Sequence, residues 1–314
     1  QPGRRGDNNR NNIIRKNKFF IVRSIENKIK CMFFMFFYNK KIFDQAGAGY
    51  PDKEWAPEDM LNIAKSLLRI NPDGRKIQFG YADEGSWRLF VYSCGGRLAD
   101  NTELPQEILM GSKEAAEGFK LRQALINTEG VFPLKQDLRD NGFKDAAEVF
   151  KAGRAAMFCG GPSYFREFSG ITDFEWGAAL FPSKKDVEMV FPAEAAGFGI
   201  YKGSVYKKEA FEVLKVIVSD KTQQSLAQSG IARPVNEAMA GQGVDKHNAG
   251  ELMGMAAKNI IFDPAVERWD EVLTDVIGPA VERIETGLDR PQDALPWVSK
   301  RIKRYYLKKP EVNQ

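Results

Sequence analysis

The residues best suited to binding chemistry are aromatic side chains set beside glycines and carboxylates at the ends of apolar segments. Trp87 follows Asp83, Glu84 and Gly85; Tyr92 precedes Gly95-Gly96; Tyr164 and Phe165 follow Gly160-Gly161-Pro162; Trp269 follows Asp263-Pro264. A flat aromatic ring stacks on the apolar C–H face of a sugar, while carboxylates, amides and backbone N–H groups bond its hydroxyls. The same rings also fill hydrophobic cores, and composition alone does not choose between the two roles.

Catalytic signatures are absent. The sequence holds no GxGxxG, GxxxxGK[ST], HExxH or GxSxG. Its single histidine, His247, lies in the polar stretch GVDKHNAGE, which excludes a multi-histidine metal site and disfavours histidine-based catalysis. Cys31, Cys94 and Cys159 lack CxxC spacing, so neither a zinc cluster nor a disulfide framework is signalled, and their apolar or glycine neighbours suggest buried thiols. Pairs such as Glu58-Asp59 and Asp270-Glu271 read as solvated helix faces. No cofactor and no metal are expected.

The 314 residues allow one large domain or two ordinary ones, and 43% hydrophobic with 28% charged content is ordinary globular composition. No apolar run reaches the roughly 18 residues of a membrane span. Residues 1–31 carry nine Lys/Arg and two Asp/Glu, a surplus of seven against +4 for the whole, so the rest is acidic by three. The basic pI therefore belongs to the leader, and no nucleic-acid partner is expected. The seven-residue CMFFMFF run, with no small-residue cleavage site after it, makes a poor signal peptide. Residues 1–31 have no apolar period and are expected to be a disordered or foreign leader without packed contacts to the body.

The elements that must position these groups are readable from about Phe33 onward. FFMFFY, IQFGYA, AAMFCGG, Trp176 to Pro182 and Ala196 to Tyr201 read as strands. Pro57 opens a helix whose apolar face is Met60, Leu61, Ile63, Ala64, Leu67 and Leu68. Ser112 caps another with Ala115, Ala116, Phe119 and Ala124 inside. DAAEVFKAG is a further helix, and 206–219, 221–229, about 248–258, 265–287 and 291–305 complete the set. Pro296 falls inside the last and predicts a kink. Strands alternating with helices give an α/β fold with helix-covered sheet.

Several segments resemble one family, in its order and spacing. YNKKIFDQAG at 38–47 is similar to the YNKDLFEKAG segment of the extracellular solute-binding proteins of ABC sugar importers, the maltose-binding-protein-like family. Trp55 with PEDMLNIAKSLL resembles its TWDELLEAAKKL element, and SWRLFVYSCGGRL its W…GG segment. FKAGRAAM at 150–157 looks like F-x-x-G-K-A-A-M, followed by GGPSYF. WGAALFP at 176–182, AAGFGIYKGS, EAFEVLKVIVS, GIARP and ERWDEV…TGLDRPQDAL complete the match.

The resemblance implies a periplasmic-binding-protein-like fold of two α/β lobes holding solute between them, with the first lobe incomplete in this chain. By that layout 1–31 is an unmatched leader, 32–199 the second-lobe α/β region, 200–249 a remnant of the first lobe, and 250–314 second-lobe C-terminal helices. A missing lobe would leave apolar surface uncovered and weaken binding. The implied function is carbohydrate binding for an ABC importer, with a sugar and the membrane permease subunits as partners, a monomeric state, and an extracytoplasmic or lipoprotein location. The ligand residues it implies are Asp83, Trp87, Gly96, Tyr164, Phe165, Glu194, Arg233 and Trp269. Ser163 stands where the family has a stacking aromatic, so Tyr164 or Phe165 would have to serve. Three other readings stay open: a truncated product without function, a binder of another small polar solute, and a sugar-active enzyme. No acid/base pair near the aromatics favours the last.

Overall fold

The structure, a computed structural model, describes residues 30–32, 34–52, 54–196, 199–229 and 248–307. In chain order these form β1 (Lys30–Met32), β2 (Met35–Asn39), α1 (Lys40–Ala46), α2 (Pro57–Ser66), β3 (Arg69–Ile70), β4 (Lys76–Asp83), α3 (Trp87–Ser93) and α4 (Lys113–Gln123). A π-turn (Ala124–Thr128) extends α4 and leads to α5 (Lys135–Asn141), α6 (Ala146–Lys151), β5 (Ala155–Gly160), α7 (Tyr164–Phe168), β6 (Trp176–Ala179), β7 (Phe191–Pro192) and β8 (Glu194–Ala196). Then come α8 (Lys207–Ile217), α9 (Asp220–Ser229), α10 (Ala249–Lys258), β9 (Ile260–Ile261), α11 (Trp269–Val272), a second π-turn (Leu273–Ile277), α12 (Gly278–Glu285) and α13 (Pro291–Tyr305).

Local chemistry sets the boundaries. The Asn39 side chain accepts from the Ile42 N–H to start α1, and Gly47, left-handed at φ 64°, ends it. Pro57 begins α2, where a missing N–H costs nothing. Ser112 caps α4 by accepting from the Ala115 N–H.

The main sheet is mixed, in the order β3-β4-β5-β2-β6. β4 and β5 run parallel, while β2 is antiparallel to both β5 and β6. Every residue of β2 and β5 is buried, as strands covered on both faces must be. One hydrophobic cluster surrounds this sheet, with Phe36, Phe37, Phe79, Tyr81, Phe150, Phe158 and Phe168 at its centre. A second cluster is helical, formed by Trp87, Phe119, Val276, Ile284, Leu295, Val298 and Ile302. α3 joins them: Leu89 and Phe90 enter the first, Trp87, Val91 and Tyr92 the second.

Several expectations change. β1 places Lys30 and Cys31, the end of the leader, in backbone pairing with Ala196 and Ala195; residues 1–29 lie outside the described residues. Of the strand expected over Ala196 to Tyr201, Ala196 is in β8 and 199–201 carry no strand, while 197–198 lie outside the described residues. The helix expected from 265 starts at Trp269, because Arg268 just before it is left-handed at φ 55°. Pro296 lies inside α13 as expected; the carbonyl left without a donor belongs to Gln292, an exposed residue that water can serve. Among the described residues no helix is long and apolar enough to cross a membrane.

Candidate functional site

The carboxyl ends of the parallel strands β4 and β5 lie side by side, Asp83 opposite Cys159. In open α/β sheets this edge is where ligands are held, because the loops leaving it are free to vary. Two turns leave it here: residues 83–87, from β4 into α3, and residues 160–164, from β5 into α7.

The first turn is fixed from below by Asp83. Its carboxylate accepts from Arg122 Nη1 at 2.5 Å, Ser86 Oγ at 2.5 Å, Tyr81 Oη at 2.9 Å and the Gly85 N–H at 2.8 Å. Arg122 also gives its Nε to Glu285 Oε1 on α12 at 2.5 Å. The Asp83 and Arg122 side chains are 0% and 4% exposed. Burial alone would raise the Asp83 carboxyl; the Arg122 guanidinium and the hydrogen bonds from Arg122, Ser86 and Gly85 overcome it and hold the group below the usual carboxylate range. Arg122 is driven higher still into its charged form: burial opposes, and Asp83 with Glu285 prevails. The carboxylate named from sequence as a ligand group thus points inward, with its acceptor positions taken up by the protein.

Its neighbour faces outward. Glu84 is exposed and accepts a short hydrogen bond from the Tyr164 hydroxyl on the second turn, while its backbone N–H bonds Cys159 O at 3.3 Å. Partial burial pushes the Glu84 carboxyl up, helped by repulsion from Asp145, Glu167 and Asp83 and opposed by the Tyr164 hydroxyl. Tyr164 itself is 8% exposed, its ring 4.8 Å from Phe158 and 5.0 Å from Phe168. Burial and the Glu84 carboxylate keep its phenol firmly protonated.

A second group grows from the same turn. Trp87 stacks on Phe119 at 5.7 Å with 22° between planes, and Arg88 lies over the Trp87 ring at 4.7 Å. Arg88 grips Asp263 with both arms, Nε to Oδ1 at 3.0 Å and Nη2 to Oδ2 at 2.9 Å. Asp263 in turn accepts from the Trp269 indole Nε1 at 2.7 Å. A bidentate guanidinium fixes the carboxylate's plane, and the carboxylate fixes the indole. Arg268, left-handed ahead of α11 and ion-paired to Glu271 at 2.9 Å, sets the direction in which Trp269 leaves the chain. Trp269 stays half-buried, packed at the edge of the helical cluster.

The structure therefore links Trp87 and Trp269 through Arg88 and Asp263, and ties Tyr164 to the turn before α3 through Glu84; Trp87 and Tyr164 are themselves buried, in the helical and sheet clusters respectively. Phe165 is 3% exposed and sits in the sheet core, 5.0 Å from Phe37. Gly96 is a packing residue: a Cβ there would meet Val91 Cγ1 at 2.8 Å and Val91 O at 2.9 Å. Glu194 sits by its backbone in β8, opposite Met32. Arg233 lies outside the described residues. From sequence Glu84 and Asp263 were noted only as carboxylates flanking Trp87 and Trp269, not as ligand residues, and Arg88, next to Trp87, was not singled out. Among the described residues no cluster of His, Cys, Asp or Glu could hold a metal ion.

Residues 27–224 match the bacterial extracellular solute-binding proteins. Among solved structures the chain resembles an ABC substrate-binding protein of Listeria monocytogenes in complex with cycloalternan, at 19% identity and TM-score 0.76, covering 94% of this chain and 78% of that one. It also resembles the maltose-bound MalE3 of T. maritima, at 19% identity and TM-score 0.71, covering 88% and 72%. UgpB of Mycobacterium tuberculosis, in complex with glycerophosphocholine, is similar at 13% identity and TM-score 0.70, covering 88% and 69%. A curated binding protein of Brucella abortus is 21% identical over 276 residues, 82% of this chain and 62% of its own length. The chain thus spans less than two thirds of the curated relatives it matches. Its fold is that of the two-lobe periplasmic binding proteins. The chain belongs to the bacterial extracellular solute-binding protein family, a family of binders and not of enzymes.

Proposed function

We propose that this chain is the carbohydrate-binding component of an ABC importer, working outside the cytoplasm and delivering a sugar to membrane permease subunits. The observation that carries the reading is Trp269: a half-buried indole whose N–H is bonded to Asp263, itself clamped by Arg88. An indole anchored by its polar edge keeps its ring plane fixed, which is what stacking on a sugar face requires. Glu84, with the Tyr164 hydroxyl holding it, supplies an acceptor for sugar hydroxyls on the same wall. Asp83, Arg122 and Phe165 support this wall from behind and do not touch the sugar. The sugars named for two of the similar solved structures, cycloalternan and maltose, agree with this class.

A second reading, a different small polar solute, is supported by the likeness to UgpB. Calorimetric titration with maltose, maltotriose, cycloalternan and glycerophosphocholine separates them. Saccharide binding that weakens at least fivefold in Trp269→Ala is expected. Binding of glycerophosphocholine with none of any saccharide would overturn the carbohydrate assignment.

A further inference from the structure

The outer face of α13 has a composition that the solute site does not use. Its inner face, Leu295, Val298 and Ile302, is fully buried in the helical cluster. Its outer face carries Trp297, Arg301, Arg304 and Tyr305, spaced at i, i+4, i+7 and i+8, with Lys300 beside them; all five are exposed. Trp297 is 54% and Tyr305 59% exposed, large amphipathic rings left in water. Arg301 lies over the Trp297 ring at 5.2 Å and Arg304 over Tyr305 at 5.2 Å.

Among the described residues the cations of this stripe have no acidic partner. Lys303, on the flank, pairs with Glu107, and Asp293 pairs with Arg290. Among the described residues no carboxylate lies within ion-pair distance of Lys300, Arg301 or Arg304. A run of charge alone is ordinarily a solvated face. Here it alternates with a Trp and a Tyr, the side chains that settle at the boundary between lipid headgroups and acyl chains. Guanidinium groups find phosphate there, and the rings find a half-apolar layer.

We propose that the outer face of α13 is a docking surface for an anionic phospholipid bilayer, with Arg301 and Arg304 meeting headgroup phosphates and Trp297 and Tyr305 entering the interface. The charge of the stripe selects an anionic surface, and the two rings select a bilayer over a soluble polyanion. None of these five residues belongs to the proposed solute wall, and the vesicle experiment uses no saccharide, so the two assignments are tested separately.

Co-sedimentation of the full 314-residue chain with phosphatidylcholine vesicles, with and without 30% phosphatidylglycerol, tests it. Binding to the anionic vesicles alone, lost at 0.5 M NaCl, is expected. A cation near such a surface is worth about fivefold in affinity, so Arg301→Glu/Arg304→Glu should weaken binding at least about thirtyfold. Trp297→Ala/Tyr305→Ala, at unchanged charge, should weaken it several-fold. Thermal melting checks folding, and these exposed side chains leave it unmoved. Equal binding to both vesicle types, no vesicle binding at all, or full retention by the charge-reversed variant would overturn the proposal. So would binding to soluble polyphosphate that is as strong as binding to vesicles and indifferent to the ring substitutions.

Discussion

Two helices of this molecule have the same kind of sequence and opposite fates. α4 turns Ala115, Ala116 and Phe119 inward, and all three are buried. It approaches α3 so closely that a Cβ on Gly118 would lie 2.2 Å from the Phe90 carbonyl oxygen. α8 separates its apolar and charged residues more strongly than α4 does, yet buries none of them. Phe211 is 49%, Val213 58% and Val216 66% exposed, and Tyr201, Val205 and Tyr206 just before it are more exposed still. An apolar period states which face of a helix needs a partner; it does not state that the partner is present. α8 and α9 lie in the stretch that the sequence resemblance assigned to the first lobe, and we propose that their uncovered face is the one that lobe would cover.

The largest effects belong on the covered side. Phe37 meets Phe158, Tyr164, Phe165, Phe168 and Trp176 at ring distances of 5.0 to 6.4 Å. Phe37→Ala should cost about 3–5 kcal/mol in urea denaturation, and a loss below 1 kcal/mol would mean that the sheet core is loosely packed in solution. Arg122→Ala should cost about 3–5 kcal/mol as well, because it strands Asp83 and Glu285 around a buried gap.

The same pair gives a pH signature. The depressed Asp83 carboxyl contributes stability that is complete above its ordinary value of 3.8 and is lost as pH falls through the lower folded value. In Arg122→Met, burial, the largest influence on that carboxyl, is opposed only by the hydrogen bonds from Ser86 and Gly85 and raises it, so stability should instead increase as pH falls from neutrality toward 4. Denaturation midpoints between pH 2.5 and 7 read the two slopes; parallel curves would show that Arg122 does not set the Asp83 ionisation.

Smaller changes are expected at the site and the uncovered helix. Trp269→Ala should weaken saccharide binding by about 1–3 kcal/mol with little change in stability, and the reverse pattern would make it a core residue. Val216→Ser on α8 should change stability by less than about 0.5 kcal/mol, as exposed positions do. A cost near that of Phe37→Ala would show that this face is covered in solution.

Much of the fold was legible in the sequence because its signals are local. The aromatic run of β2, Pro57, the Ser112 cap and the apolar spacing of α4 each act within a few residues. The proposed site was legible in part. Trp269, Trp87 and Tyr164 announce themselves as aromatics beside glycine or carboxylate, and the family resemblance pointed to the same segments. Their roles depend on partners far along the chain, and no local pattern marks those. Arg88 and Asp263 are 175 positions apart, and Arg122 reaches Asp83 across 39 and Glu285 across 163. Asp83 and Glu84 are neighbours of like chemistry, and only the buried guanidinium decides which of them faces inward.

The central claim is that a sugar lies against Trp269, and the indole N–H signals of the five tryptophans read it directly. Each signal is assigned by its loss in a Trp→Phe variant, and maltotriose is titrated into the nitrogen-15-labelled chain. The Trp269 signal, anchored on Asp263, should move saturably with sugar, while that of Trp176, bonded to Phe168 O at 3.0 Å in the core, should stay in place. A Trp269 signal that stays fixed while saccharide binds elsewhere, or while another tryptophan moves, would contradict it.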